Sequence, residues 1–301
     1  MGAGARTGKI RHLMIRVGTD PNSGFCGGVI RAIDTAEKIL LSGEGPLYSL
    51  GAIVHNEKEL SRLEARGLRT VDHDGLAGLG PGDTVLIRAH GEPPATYSML
   101  TERGVKVIDC TCPVVLRLQN RIREASGRSQ VVIFGKIGHP EVLGLVGSAG
   151  GRATVVENSG QLLESIAGGT PDGSGPVELF SQTTMNPETY ARIAAILREA
   201  VGDRLTVHDS ICSRMAARHR EIGSFASQYD VIVFVSGGQS SNGKVLFDRC
   251  RSINPRTYMC SAPEELQASW FEGAESAGVC GATSTPRWLL DEVAAAIEDL
   301  H

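Results

Sequence analysis

Nine times along the 301 residues a short apolar run breaks into a polar or sulfur-bearing turn, and a helical pattern follows. This recurrence constrains the fold more than any other feature. A strand that feeds a helix reaches its next partner by a crossover, which builds parallel sheets with helices on their faces. The turns lie at Cys26, His55, His90, Cys112, His139 with Glu141, Thr183, Cys212, Ser240–Asn242 and Ser284. Val105–Val115 shows the pattern in full: alternating Val105 and Val107, then Asp109 and the Cys110-Thr111-Cys112 turn, then Pro113 opening a helix through Val114, Val115, Leu118 and Ile122. Proline suits a first helical position, whose N–H has no partner anyway. In parallel α/β sheets, ligands bind beyond the carboxyl ends of the strands, where helix N-termini present free N–H groups. Nine such turns, built from Cys, His, Glu, Ser, Thr and Asn, imply several small sheets aimed at one centre.

The length suits two or three α/β units, and the 37 glycines suit many tight strand-to-helix turns. A net charge of −4 argues against a nucleic-acid-binding surface, so an anionic ligand would need local positive groups. No apolar run approaches the ~20 residues of a membrane span. Met1–Lys9 lacks the apolar segment of a signal peptide, so a cytoplasmic protein is expected. The expected strands include His12–Val17, Leu47–Leu50, Thr84–Arg88, Val131–Phe134, Thr154–Val156, Val177–Phe180, Leu205–Val207 and Val231–Val235.

Seven cysteines without CxxC pairs do not resemble a disulfide framework or a zinc ribbon. Cys26, Cys112 and Cys212 share one context, a strand end followed by a helix start, where the helix dipole favours thiolate. They lie about 86 and about 100 residues apart, roughly one small α/β unit each. Zinc usually takes a fourth protein ligand or histidine-rich ligation. Three soft sulfurs alone suit an iron–sulfur cluster with one iron free of protein ligands. The alternative is that these cysteines fill space, as most do. Cys250, Cys260 and Cys280 lack the full context and read as packing residues, whereas Cys110 stands close enough to Cys112 to compete for a metal.

His55, His90 and His139, with Ser240, Ser241, Asn242 and Ser284, offer hydrogen-bond donors for a phosphate or diphosphate. Singly, a histidine at such a turn is more often a capping or core residue than a ligand. Glu141 is either a first-turn carboxylate or a proton donor, positioned with His139 and Thr183. Gly238–Val245 nearly matches a nucleotide hydrolase's phosphate loop, but Val245 replaces the hydroxyl residue that would hold magnesium.

The motifs Gly24-Phe25-Cys26-Gly27-Gly28-Val29, Val54-His55-Asn56, Arg88-Ala89-His90-Gly91, Thr111-Cys112-Pro113 and Gly138-His139-Pro140-Glu141-Val142 occur in that order. Ser181-Gln182-Thr183-Thr184, Ile211-Cys212, Ser240-Ser241-Asn242 and Ser284-Thr285-Pro286 follow. Together they resemble the LytB-type 4-hydroxy-3-methylbut-2-enyl diphosphate reductases over nearly the whole chain. The resemblance implies three α/β domains with parallel-type sheets in a pseudo-threefold trefoil, with expected boundaries 1–111, 112–208 and 209–301 and terminal segments free to pack across them. It implies a [4Fe-4S] cluster on Cys26, Cys112 and Cys212, or [3Fe-4S] after isolation in air. It also implies a diphosphate site made from His55, His90, Ser240, Ser241, Asn242 and Ser284, with His139 nearby. Glu141 would deliver protons and Thr183 would orient the substrate hydroxyl. The reaction implied is reductive loss of that hydroxyl, with electrons from a ferredoxin or flavodoxin. Cys110 and Cys280 depart from the family's usual small apolar residue and threonine. A redox sensor on the same scaffold would keep the cysteines without needing Glu141 or Thr183.

Overall fold

A computed structural model describes residues 15–300. The chain begins with β1 (Arg16–Thr19), α1 (Gly27–Ser42), β2 (Leu47–Leu50), α2 (Glu57–Glu64), β3 (Leu68–Val71), β4 (Thr84–Ile87), α3 (Pro94–Glu102) and β5 (Lys106–Asp109). It continues through α4 (Pro113–Ser126), β6 (Gln130–Phe134), α5 (Pro140–Ser148), β7 (Thr154–Val156), α6 (Ser159–Ala167), β8 (Val177–Ser181), α7 (Pro187–Val201) and β9 (Leu205–Val207). The last stretch contains α8 (Ser213–Ala226), β10 (Val231–Val235), α9 (Ser241–Ile253), β11 (Thr257–Cys260), β12 (Ser276–Gly281) and α10 (Arg287–Asp299). Met1–Lys9 and His12–Met14 of the expected first strand lie outside the described residues; the strand found there is Arg16–Thr19. No helix among the described residues is long and apolar enough to cross a membrane.

The strands form three four-stranded sheets, ordered β3-β2-β4-β5, β7-β6-β8-β9 and β11-β10-β12-β1, and every pairing is parallel. The order within each is second, first, third, fourth. The third sheet follows this pattern only by taking β1 as its fourth strand: β1 lies beside β12, with Val17 opposite Ala277, rather than with the sheet that follows it in sequence. The two ends of the described chain therefore meet in one sheet.

Each sheet is covered on both faces, which explains the continuous apolar runs. Val231, Val233 and Val235 of β10 pack with Leu289, Leu290 and Val293 of α10, while Ile232 and Phe234 pack with Ile222 of α8 and Leu246 of α9. Burying side chains of this size contributes about 1.5–3 kcal/mol each. Two further pairs of core clusters flank the other sheets. Helices on both faces leave the carboxyl ends of the strands as the place where loops converge.

Candidate active site

The threefold repeat places the nine turns at three equivalent positions. After the first strand of each sheet come His55, His139 with Glu141, and Ser240–Asn242; after the third come His90, Thr183 and Ser284; after the fourth come Cys112, Cys212 and Cys26. All of these residues line one cavity of about 330 Å³, including all twelve singled out from the sequence.

Each cysteine is the residue before its helix, in an extended conformation. Its carbonyl accepts the first helical bond, from Ile30 to Cys26 at 3.0 Å, Leu116 to Cys112 at 2.9 Å and Ala216 to Cys212 at 2.9 Å. Its own N–H donates to the loop after the neighbouring third strand: Cys26 to the Thr283 carbonyl, Cys112 to Ala89 and Cys212 to Thr183. The backbone thus carries three sulfurs to one place by one repeated device. All seven cysteines are free. Burial pushes the Cys26 thiol up, and the nearby Cys112 and Cys212 add to that shift against the pull of the Gly28 and Val29 N–H groups. At Cys26, burial therefore outweighs the helix N-terminus. Gly28 makes the close approach possible: a Cβ there would stand 3.3 Å from the Cys112 sulfur.

Cys110 does not join them. It is fully buried in the core of the first sheet, among Ile33, Leu47 and Leu86, and does not line the cavity. An unbroken strand would put residues two apart on one side; β5 ends at Asp109, and the turn in which the Asp109 carboxylate accepts from the Thr111 N–H parts the two cysteines. Cys250 and Cys280 are buried with their sulfurs 4.0 Å apart, and Cys260 lies in the opposite core of the same sheet.

The imidazoles of His55, His90 and His139 cluster, with centroids 5.0, 5.1 and 5.8 Å apart. Asn56 caps α2 by accepting from the Glu59 N–H at 3.0 Å, which fixes the turn carrying His55. At the head of α5, the Glu141 N–H donates to His139 Nδ1 at 3.1 Å, so the ring proton lies on Nε2. His55 Nε2 and His90 Nδ1 are buried and have no partner among the described residues. Burial lowers the His55 pKa to about 4, assisted by the positive charges of Arg88 and Lys136. Burial likewise takes His139 to about 3 and His90 well below its usual value. One nitrogen from each ring lies within 4.8 Å of the others, close enough to share a metal ion. The cations at their back make an anion the better occupant, because it would relieve both the orphaned donors and the charge.

Arg88 was not singled out from the sequence. It is 7 % exposed, and its guanidinium donates to the Ala52 carbonyl at 2.9 Å. It folds against Gly51, which has φ +68° and where a Cβ would stand 2.7 Å from the guanidinium. The available signal was an arginine ending a strand whose four residues are apolar or threonine.

Ser240 caps α9, accepting from the Gly243 N–H at 3.0 Å and sharing a 3.0 Å hydrogen bond with Ser284. Asn242 Nδ2 donates to Thr283 Oγ1 at 2.6 Å. The loop beneath them meets the first sheet closely: a Cβ on Gly237 would lie 2.5 Å from the His55 carbonyl oxygen. Lys244 is exposed and does not line the cavity, so the lysine of the near phosphate-loop match takes no part here.

Glu141 is 2 % exposed. Its Oε1 accepts from the Thr183 N–H at 2.7 Å and its Oε2 from the Thr183 hydroxyl at 2.9 Å. Burial outweighs both bonds and raises its pKa to about 7. A carboxyl so placed exchanges a proton at neutral pH, the property a general acid needs.

Comparison with known proteins bears on the family and the fold. The family model described as LytB protein matches residues 17–298. A 4-hydroxy-3-methylbut-2-enyl diphosphate reductase of Parabacteroides distasonis is 44% identical over 295 residues, covering 96% of this chain and 99% of that one. One from Porphyromonas gingivalis is 46% identical, covering 95% and 100%. A solved structure of (E)-4-hydroxy-3-methyl-but-2-enyl diphosphate reductase, described as the terminal enzyme of the non-mevalonate pathway, superposes with TM-score 0.69 at 32% identity, covering 95% of this chain and 100% of the other. The corresponding reductase structure from Plasmodium falciparum has the same fold, with TM-score 0.81 at 23% identity over 92% and 86%.

Proposed function

The chain belongs to the LytB protein family, and on that footing we propose that it removes the hydroxyl of 4-hydroxy-3-methylbut-2-enyl diphosphate reductively, giving isopentenyl and dimethylallyl diphosphates. The observation that carries this reading is the convergence of three free cysteines, three imidazoles and the Glu141–Thr183 pair on one cavity. Family membership implies a metal cofactor. We assign a [4Fe-4S] cluster, or [3Fe-4S] after exposure to air, to Cys26, Cys112 and Cys212. The fit rests on their chemistry and setting: three soft donors on three helix starts, with glycine at position 28 leaving room for the Cys112 sulfur. Such a cluster, when bound, supplies electrons and a Lewis-acidic iron for the hydroxyl oxygen.

The chain's own residues do the rest. His55, His90, Ser240, Ser241, Asn242 and Ser284 hold the diphosphate, with Arg88 behind the imidazoles supplying fixed positive charge. The hydroxyl end of the substrate then faces Thr183 and Glu141. When Glu141 is protonated it donates to Thr183 Oγ1, freeing the Thr183 proton for the departing oxygen, and His139 Nε2–H completes the donor set. Two electrons and two protons convert the allylic alcohol to alkene and water.

The donor is a ferredoxin or flavodoxin, and the location is the cytoplasm. The domains are 1–111, 112–208 and 209–301, with β1 crossing to the third sheet. The deciding experiment is iron and sulfide analysis of anaerobically purified protein, followed by turnover with a chemical reductant. Protein that binds iron and sulfide and forms both products is expected; protein that reconstitutes without metal, or loads and leaves the substrate intact, would end this reading.

A further inference from the structure

The three helices that begin at the cysteines each carry an arginine that grips the end of the fourth strand, or the loop after it, in the sheet on which the helix packs. Arg31 of α1 donates through NH2 to the carbonyl of Asp109 at 3.3 Å. Arg121 of α4 donates through NH1 to the carbonyl of Asp209 at 3.3 Å, and its NH2 is 2.7 Å from His208 Nδ1. Arg218 of α8 donates through NH2 to Ser23 Oγ at 2.6 Å and pairs with Asp20. The targets are equivalent: Asp109, Asp209 and Ser23 each stand three residues before the next cysteine, Cys112, Cys212 and Cys26 respectively. The grips run from α1 to the Cys112 loop, from α4 to the Cys212 loop, and from α8 back to the Cys26 loop, closing a ring.

We propose that Arg31, Arg121 and Arg218 are positioning residues, a cyclic set of struts that fixes the mutual spacing of the three cysteine loops. The inference deepens the cluster assignment above and rests on it for the group being held. The sequence periodicity does not demand the ring, since the arginines lie five, nine and six residues after their cysteines. What repeats is the place gripped, three residues before the next cysteine; Arg31 and Arg121 hold backbone carbonyls there, and Arg218 holds the Ser23 hydroxyl. Each cysteine follows the fourth strand of one sheet and opens a helix packed on another, so each strut ties the helix begun by one cysteine to the loop that carries the next.

The segment each strut grips is itself stiff. Asp109 accepts from the Thr111 N–H at 2.9 Å, making a tight turn just before Cys112. Ser23 Oγ accepts from the Gly281 N–H at 2.9 Å and donates to Asp20 at 2.9 Å, tying the Cys26 loop to the end of β12. His208 is held by Glu178 at 2.7 Å and stacks on Phe180, so the Arg121 strut has a fixed seat. Arg218 is 4 % exposed, whereas Arg31 and Arg121 lie at the surface. The two exposed struts are therefore the ones to test, since replacing them leaves no buried charge unpaired.

The test uses Arg31→Met, Arg121→Met, Arg31→Lys and a control, Arg123→Met, whose guanidinium among the described residues bonds only Asn120 of its own helix. Outer supports of metal ligands usually change affinity ~10–100-fold when removed. Iron loss to a chelator from anaerobically reconstituted protein is expected to be about tenfold faster or more in both strut-to-Met variants. The control should match wild type, as should Arg31→Lys, because one donor suffices for a single carbonyl. Wild-type rates of iron loss in both Met variants would overturn the ring. The same variants as apoprotein, treated with the bis-thiol cross-linker dibromobimane, should lose bridging between cavity thiols, with Arg31→Lys restoring it. If the wild type takes up no iron and sulfide, the cluster assignment fails on its own, and the cross-linking decides the struts. Bridging unchanged in both Met variants would then overturn them.

Discussion

Diphosphate binding should draw protons into the protein. The perturbation is addition of isopentenyl diphosphate to anaerobically loaded protein near pH 7. Without an anion, burial and the cations Arg88 and Lys136 keep His55 neutral, with a pKa of about 4. His139 is held at about 3, and His90 is also lowered. A unit negative charge about 4 Å from an imidazole, at an effective dielectric of about 20, favours the protonated form by about 4 kcal/mol. At 1.36 kcal/mol per pKa unit this is about three units. His55 would move from about 4 to about 7; His139 gains less, because its second proton would fall on Nδ1, which accepts from the Glu141 N–H. The rings are 5.0–5.8 Å apart, so the first proton opposes the second. The triad should take up roughly half to one proton per ligand near pH 7. The sign follows: binding weakens as pH rises, up to about tenfold per unit where uptake nears one proton. Calorimetry in buffers of different ionisation enthalpy reads this uptake directly. The ligand's own titration is common to wild type and His55→Asn, so the difference between them isolates the imidazole. Identical buffer dependence in the two proteins would refute the reasoning.

Glu141→Gln should retain iron and diphosphate binding while turnover falls by about 10²-fold or more, the usual contribution of a positioned acid; near-normal turnover would remove Glu141 from the proton path. Because the raised pKa of about 7 belongs to the acid form, wild-type turnover should fall as pH rises through about 7 when proton delivery limits the rate, and a limb unchanged in Thr183→Val would count against the Glu141–Thr183 relay. Serine at Cys26, Cys112 or Cys212 should cost iron and activity, whereas Cys110→Ser should cost neither, as iron analysis of each variant can establish. Gly28→Ala should leave thermal stability near wild type or above it, since alanine favours a helix by about 1 kcal/mol over glycine. It should still impair iron loading, because its Cβ would lie 3.3 Å from the Cys112 sulfur. Full loading of that variant would show that the Cys112 side chain can yield.

The junctions were legible because each combines two signals that survive without tertiary information: an apolar strand covered on both faces and a proline or polar residue at the helix start. β10, with five buried residues, and α5, opened by Pro140, are of that kind. β3 and β11 were not legible. Both are edge strands, and Leu68-Arg69-Thr70-Val71 and Thr257-Tyr258-Met259-Cys260 lack either a clean alternation or a continuous apolar run. Arg88 escaped notice because its role depends on the space left by Gly51, a contact across strands that no local pattern encodes.

From the residues alone the repeat showed only in the spacing of the cysteines, and the pseudo-threefold frame was expected from the family resemblance. Its third copy is split between the chain's two ends, and its equivalent turns carry different chemistry: His55, His139 and Ser240 after the first strands, and His90, Thr183 and Ser284 after the third. Only the fourth-strand turns kept the same residue, and there the backbone bonds are also the same, from each cysteine N–H to the neighbouring loop. Divergence at the first two positions follows from the substrate assigned here. A threefold frame can present three equal sulfurs to a cluster, but an allylic diphosphate has an anionic end and a reacting end. The turns facing it must therefore differ, placing imidazoles, Ser240 and Ser284 at one end and the Glu141–Thr183 pair at the other. Exchanging His90 for threonine, the residue at its equivalent position in the second sheet, should therefore weaken diphosphate binding while leaving iron content unchanged. An equal loss of iron would mean that the imidazoles serve the metal rather than the anion.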